Sequence, residues 1–404
     1  VQVRFLETAD AAALGARHAG LDGTQAARLA AAVDARLLAL AQPPSDALRD
    51  ALQAGGAVVA DAGATTLVAA TRSQLLAARE RATAEIDPLL TALDRAHATP
   101  PSLRLRERTL DLRDEARVMG IVNVTPDSFY ERVAGAPAAL AKARAIAADG
   151  GALVDVGGQS YAHWNRRVGA DEERERVVPA VQAIVADGLD LAISIDTFKA
   201  GVADAALAAG AHLINDCSGL SDPDLAPVVA RHGAALVVMH LRGELNVRTP
   251  ERYVYRDALA EIVDFLYERT ERALTAGVAR EAIAIDPGLE FGKEPATDLE
   301  ILERFGELRA LGYPILFASS RKSFIGRIFG RPAKELLVPS LATAALGIAA
   351  GARVLRVHDV AETVQLARMM AAVAPDRRAA LPIAAAMPGT PTAGNPTGAP
   401  AVSP

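Results

Sequence analysis

Short β-rich apolar runs recur along most of this chain, each followed by an amphipathic stretch that halts at a glycine. The runs lie at 118–124, 152–156, 192–195, 212–214, 235–239, 282–285, 314–317 and 354–357, which makes eight. Between them sit stretches with the apolar spacing of helices, such as 171–186, 257–276 and 299–311. Seven glycines stand where helices should stop, namely Gly150, Gly188, Gly210, Gly233, Gly277, Gly312 and Gly351. Glycine takes the left-handed turn that ends a helix at no steric cost. A strand, a helix and a glycine about every 33 residues imply parallel strands joined by crossover helices. Eight such units in about 265 residues predict a (β/α)8 TIM barrel rather than an open doubly wound sheet. No Gly-x-Gly-x-x-Gly turn follows the first run, which weighs against a dinucleotide-binding fold.

The flanks read differently. Residues 1–97 are Ala-rich, with helical periodicity and two strand-like runs at 57–60 and 65–68, and predict a small α+β N-terminal domain. Pro100 and Pro101 mark a joint that no helix continues through. Residues 98–117 read as linker and hairpin, with Leu103, Leu105, Leu110 and Leu112 placed to plug the barrel floor. The barrel is expected over 118–376. Residues 387–404 are small residues, Pro, Gly and Thr, and predict a disordered tail.

Composition narrows the function classes. Of 404 residues 51% are hydrophobic, and the net charge is -6, so the chain has core to bury and lacks a basic balance for nucleic acid. The start has no basic region followed by an apolar core, and one cysteine, Cys217, fits a reducing compartment. The expectation is a cytoplasmic protein with no membrane partner. The most apolar window, 336–355, contains Pro339 and Arg353 and reads as a buried helix running into a strand. Cys217 itself reads as core.

Barrel chemistry sits at the carboxyl ends of the strands. There the sequence places Asn123, Asp155, Asp196, Asn215 with Asp216, His240, Asp286, Lys322, and Arg356 with His358. A strand-end Asp is often the cap of the next helix, but eight polar strand ends together make a site. Asp196, Asp286 and Asn215 suit a flat heterocycle presenting adjacent N–H groups. Lys322, Arg356 and His358 offer positive charge and donors for an anion such as a diphosphate. Asn123 could place an oxygen on a hard cation accompanying that anion. No Cys or His cluster has zinc spacing. The stretch 288–294 looks superficially like a phosphate loop but is one residue short and lacks Ser or Thr after Lys293.

These residues sit inside motifs that resemble the dihydropteroate synthase family of pterin-binding barrels. The opening strand reads Met119-Gly120-Ile121-Val122-Asn123-Val124-Thr125-Pro126-Asp127-Ser128-Phe129. In order follow Asp155-Val156-Gly157-Gly158, Ser194-Ile195-Asp196-Thr197, Ile214-Asn215-Asp216 and Val238-Met239-His240. Then come Asp286-Pro287-Gly288 with Phe291-Gly292-Lys293, Ser320-Arg321-Lys322-Ser323-Phe324-Ile325-Gly326, and Arg356-Val357-His358-Asp359-Val360. The resemblance covers about 103–373. It implies a transferase of alkyl or aryl groups that joins 4-aminobenzoate to a dihydropterin methyl diphosphate, in folate biosynthesis. By the same resemblance Asp196, Asn215, Asp286 and Lys322 would hold the pterin, and Asp155 would stand with them as a substrate-binding residue. Asn123 would ligate Mg2+ together with the diphosphate, and Arg356 and His358 would stabilise that leaving group without any enzyme nucleophile. Phe291 and Ser323 would border the aminobenzoate, and the protein would be a homodimer. Residues 55–59 and 71–76 are similar to an extension on longer family members, for which a structural or oligomerisation role is the default.

Two loops depart from the family. After Gly158 the family continues with an acidic residue, Ser, Thr, Arg and Pro, whereas here Gln159, Ser160, Tyr161 and Ala162 follow, so the usual Arg is missing. Arg166 or Arg167 would supply the charge from further along, unless both are surface residues. After Phe129 the usual Ser-Asp-Gly-Gly is replaced by Tyr130-Glu131-Arg132-Val133. Two alternatives stay open: a pterin-binding paralogue without synthase activity, and a pterin-dependent methyltransferase. Ser320-Arg321-Lys322-Ser323 and Arg356-Val357-His358 oppose the methyltransferase, since their donors suit a diphosphate and a methyl transfer has none to hold.

Overall fold

The computed structural model describes residues 3–6, 21–30, 36–40, 43–62, 65–97, 100, 102–125, 135–161, 166–245 and 254–373. The N-terminal part runs β1 (Val3–Leu6), α1 (Gly23–Ala30), β2 (Arg36–Leu40), α2 (Asp46–Ala54), β3 (Val58–Ala62), β4 (Thr65–Ala70), α3 (Arg72–Arg79) and α4 (Thr83–His97). Its strands form an antiparallel sheet in the order β1-β2-β4-β3. Sequence patterning shows only the last two of these strands. The segment Arg36–Leu40 is rich in Leu and Ala, which favour helix. Pairing on both sides overrides that preference, and Leu38 and Leu40 bury on one face while Ala39 buries on the other. Caps then start the helices: the Ser45 side chain accepts from Leu48 N, and Thr71 with Gln74 forms a reciprocal capping box.

A hairpin of β5 (Ser102–Leu105) and β6 (Arg108–Asp111) leads into the barrel. Leu103 and Leu105, two apart on one face, bury with Leu112 against Met119, Leu153, Leu213 and Leu316, residues of the barrel strands. The strands β7 (Arg117–Asn123), β8 (Leu153–Gly157), β9 (Ala192–Asp196), β10 (Leu213–Asp216), β11 (Ala235–Met239), β12 (Ile283–Asp286), β13 (Ile315–Phe317) and β14 (Ala352–Val357) close into a parallel barrel. Around it lie α5 (Gly135–Ala148), α6 (Ala170–Asp187), α7 (Ala200–Ala208), α8 (Leu225–Arg231), α9 (Ala258–Thr275), α10 (Pro295–Glu303), α11 (Ser323–Phe329), α12 (Leu337–Ala350) and α13 (Val360–Val373). The eight expected strands are all present, and the seven stop glycines all have positive φ. Gly188 shows why: at φ 71° it closes α6 with its N–H on Val185 O.

One expected helix is divided. The stretch 299–311 read as continuous, but α10 ends at Glu303 and a 3-10 turn, Phe305–Leu311, takes over. Arg304 sits at the break and is 2% exposed. Its guanidinium bonds Asp257 at 2.8 Å, Glu300 at 2.7 Å and Glu307 at 2.8 Å. Satisfying a buried guanidinium outweighs continuing the helix. The apolar window forms α12 and then β14, and no helix among the described residues is long and apolar enough to cross a membrane. Cys217 is a buried free thiol. Residues 387–404 lie outside the described residues, as do 126–134 and 162–165 of the two departing loops.

Candidate active site at the carboxyl ends of the strands

Asp155 is the hub of the polar groups that the barrel gathers. It lies in β8, fully buried, and its Oδ1 accepts the Ser194 hydroxyl at 2.5 Å. Its Oδ2 accepts Nδ2 of Asn215 at 3.1 Å and Nε of Arg356 at 2.6 Å. Arg356, the next-to-last residue of β14, sends Nη2 to Asp196 Oδ2 at 2.7 Å. Ser194 and Asp196 reach one face because strand side chains alternate with a period of two. Burial alone would lower the Arg356 pKa, but Asp155 and Asp196 hold it above its ordinary value. Burial pushes the Asp196 carboxyl up to about 7 against the pull of Arg356, with Asp155 and Glu173 adding to the rise. The other Asp196 oxygen, Oδ1, is buried without a hydrogen-bond partner. Such an acceptor is costly until a donor meets it. Asn123 belongs to the same place: a Cβ at Gly157 would stand 3.3 Å from Asn123 Oδ1 and 3.7 Å from Asp196 Oδ2.

Asp286, Lys322 and Phe291 form the second half. Asp286 ends β12 and accepts Gly288 N at 2.6 Å. That turn requires glycine, since at φ 67° a Cβ on Gly288 would fall 2.0 Å from His240 O. Burial raises the Asp286 carboxyl, and Lys322 opposes the rise. Lys322 precedes α11, and its Nζ donates to Leu289 O at 2.6 Å while lying 5.2 Å from the Phe291 ring centroid. β8 and β12 stand four strands apart in the closed ring of eight, so the halves face each other, and the Arg356 charge acts on Asp286 as well. Ser323 opens α11 and is exposed.

Three strand-end residues behave differently from their sequence reading. His358 Nδ1 lies 3.1 Å from Ser320 Oγ. Burial, with Arg356 pushing the same way, holds its pKa down to about 3. It is therefore a neutral imidazole at pH 7, able to donate a hydrogen bond but not to supply the positive charge expected of it. Asp216 closes its own loop, accepting Ser218 N at 2.8 Å and Leu220 N at 2.5 Å. His240 is buried edge-on to Phe265 and meets Lys293 Nζ at Nδ1, 2.8 Å away. Lys293 also donates to Gly288 O at 2.7 Å and Phe291 O at 3.0 Å, so this pair shapes the loop that carries Phe291.

The loop after β8 is held from behind. Gln159 Oε1 accepts from Lys199 Nζ at 2.5 Å, and Lys199 pairs with the fully buried Glu173. Tyr161 packs in an apolar group with Phe198, Cys217, Met239, Leu241, Leu245 and Phe291. Its hydroxyl donates to Asp196 O at 3.3 Å. Arg166 bonds Glu172 at 2.7 Å, and Arg167 bonds Leu245 O at 2.9 Å and Glu244 at 3.3 Å. Both side chains are at least 60% exposed, which is the surface placement rather than a replacement for the missing arginine. Lys293 and Ser194 stand inside family motifs with no role of their own, Ser320 counts in the sequence only as one of a group of diphosphate donors, and Tyr161 only as a departure from the family. Ser194 also carries a geometric signal, its period-two spacing from Asp196.

The family model described as pterin binding enzyme matches residues 119–358. The chain belongs to the pterin-binding enzymes. Among relatives of this pterin-binding enzyme, the dihydropteroate synthase of Bacillus subtilis is 39% identical over 280 residues, 69% of this chain and 93% of that one. The inactive dihydropteroate synthase 2 of Mycobacterium tuberculosis is 42% identical over 267 residues, 64% of this chain and 83% of that one. The crystal structure of dihydropteroate synthase from Thermus thermophilus in complex with 4-aminobenzoate superposes with a TM-score of 0.61 at 37% identity, covering 68% of this chain and 100% of that one. These likenesses place the chain among the dihydropteroate synthases.

Proposed function

We propose that this protein condenses 4-aminobenzoate with (7,8-dihydropterin-6-yl)methyl diphosphate, giving 7,8-dihydropteroate and diphosphate. The observation that carries the reading is the unpaired, buried Oδ1 of Asp196, set beside Asn215 and across from Asp286 in a pterin-binding barrel. Two carboxylates and an amide at a buried floor match the adjacent N–H groups of a pterin edge. Lys322 would hold the ring from the other side. Arg356 has five N–H donors and uses two of them on Asp155 and Asp196. The remaining donors, with the neutral His358, would meet the diphosphate.

In the reaction the C–O bond to diphosphate breaks and its electron pair leaves on the oxygen. The amine lone pair forms the C–N bond, and an amine proton is lost to solvent. Buried carboxylates favour the cation developing on the exocyclic methylene, and the donors stabilise the departing oxygens. The arylamine needs placement more than activation, which Phe291 and Ser323 would provide.

Mg2+ fits this site as an ion carried by the diphosphate. Asn123 offers a single neutral oxygen, and no three His, Cys, Asp or Glu side chains cluster as ligands among the described residues. Mg2+ is commonly held by substrate phosphates with few protein ligands, and there it neutralises leaving-group charge. A homodimer is part of the same reading. The packed pair α12 and α13 exposes Val338, Leu346, Met369 and Val373, an apolar set that a second copy would cover. A reducing cytoplasm suits the buried Cys217.

A second reading is a paralogue that binds the pterin without making product. It is favoured by Tyr161 and Ala162 standing where the family has Thr and Arg. Expression in bacteria lacking their own synthase tests the proposal. Growth without added folate end products is expected, and failure to grow despite soluble protein favours the paralogue.

A further inference from the structure

Glu290 holds a backbone conformation that its side chain makes costly. Its φ is 70°, in the left-handed region where a residue with a Cβ is strained. Gly288 and Gly292 on either side have φ 67° and 66°, so a glycine at 290 would suit the turn better. The surroundings over-determine the strained residue. Its N–H donates to Asp298 Oδ1 at 2.9 Å, and its own carboxylate Oε1 accepts the N–H of Phe324 at 2.8 Å. Phe324 is the second residue of α11, the helix that the loop after β13 leads into. The same two loops are joined in the opposite direction by Lys322 Nζ on Leu289 O at 2.6 Å. Arg321, beside Lys322, is strained likewise at φ 59° and is fixed by Asp359 at 2.6 and 2.8 Å and by Ala333 O at 2.7 Å. Each strained residue is thus the neighbour of a site residue, Phe291 in one loop and Lys322 in the other.

We propose that Glu290 is a positioning residue: its hydrogen bond to Phe324 N ties the β12 and β13 loops together and so sets the Lys322 ammonium against Asp286 and Phe291. Strain persists at functional sites when the constraint it maintains is used. A carboxylate accepting a backbone N–H at a helix start is a charge-assisted bond, stronger than a neutral one. With it broken, the Arg321 anchors still hold the backbone of the β13 loop, but the β12 loop is tied to it only through the Lys322 side chain itself, on Leu289 O and beside Phe291. The inference rests on the proposed function for Lys322 being a ligand group, and goes beyond it in assigning what holds Lys322 in place.

The test compares E290G with E290Q in the full chain. Glycine relieves the strain and removes the bond, whereas glutamine keeps an acceptor in the same position. Calorimetry with the dihydropterin methyl diphosphate and Mg2+ should show E290G weakened about tenfold. E290Q should stay within about twofold of wild type, and both melting temperatures within a few degrees of it. Unaltered binding by E290G overturns the proposal, as does an equal loss in E290Q or a loss that tracks melting temperature. Hydrogen exchange separates this inference from the functional reading. If the wild type does not bind the pterin diphosphate, that reading fails, and the Phe324 amide decides the matter. Protection in wild type and E290Q with loss in E290G supports the tie, and equal exchange in all three overturns it.

Discussion

Arg356 Nε lies 2.6 Å from Asp155 Oδ2, joining two residues 201 apart in sequence. The same guanidinium reaches Asp196 at 2.7 Å, so one cation serves two carboxylates at the barrel mouth. This pairing changes what Arg356 is expected to do. As a lone diphosphate donor it would govern turnover only. As the partner of two buried acids it also holds the pterin floor together.

Asp155→Ala therefore takes the Asp155 carboxylate from Ser194, Asn215 and Arg356, and leaves Arg356 with Asp196 alone as its carboxylate partner. Breaking one side of a buried ion pair costs about 3–5 kcal/mol. Urea unfolding should show a loss of that order, accompanied by loss of pterin binding. A change below about 0.5 kcal/mol would show that the network does not support the fold.

Arg356→Ala should weaken the bare pterin as well as the pterin diphosphate, because Asp155 and Asp196 lose the guanidinium that both accept from, and Asp196 is pushed further toward its neutral form. Calorimetry with both ligands checks this. Weakening confined to the diphosphate form would return Arg356 to a purely leaving-group role.

His240 gives a pH signature. Burial, and next the Lys293 charge, push its pKa down to about 2. The unfolded chain titrates near 6.5, so between those values the unfolded state binds the extra proton. Stability from this group is full above 6.5 and falls as pH drops toward 2. His240→Asn keeps an acceptor for Lys293 and removes the titration. Its unfolding free energy between pH 4 and 6 should slope less than wild type by roughly 1 kcal/mol per pH unit. Parallel slopes would mean that His240 is not protonated preferentially on unfolding.

Arg166 and Arg167 form surface ion pairs with exposed side chains. Exposed pairs contribute little. Replacing both by Ala should leave kcat and KM within about twofold. A tenfold loss of kcat would show that the loop folds over the substrates and uses these charges.

Barrel architecture was legible because its signals are local. Alternating strands and stop glycines such as Gly188 act over a few residues, and a chemical side chain at each strand end follows from the register. What escaped the sequence depends on distant partners. Arg304 breaks a regular helical pattern for the sake of Asp257, 47 residues away. His240 read as a site residue until Lys293, 53 positions on, turned it to loop structure. His358 read as a charge, and its burial beside Arg356 drives it fully to the neutral form. The strand Arg36–Leu40 needed neighbours on both sides to overrule its helical composition. Glu290 was inside a motif dismissed as a false phosphate loop, and nothing short of its φ marks it out.

The most direct measurement is product formation by purified protein given the dihydropterin methyl diphosphate, Mg2+ and 4-aminobenzoate, with the product identified by mass. Dihydropteroate and diphosphate appearing in equal amounts, and only with aminobenzoate present, is the predicted result. Binding of the pterin diphosphate with no dihydropteroate formed would contradict the synthase and leave a pterin-binding paralogue.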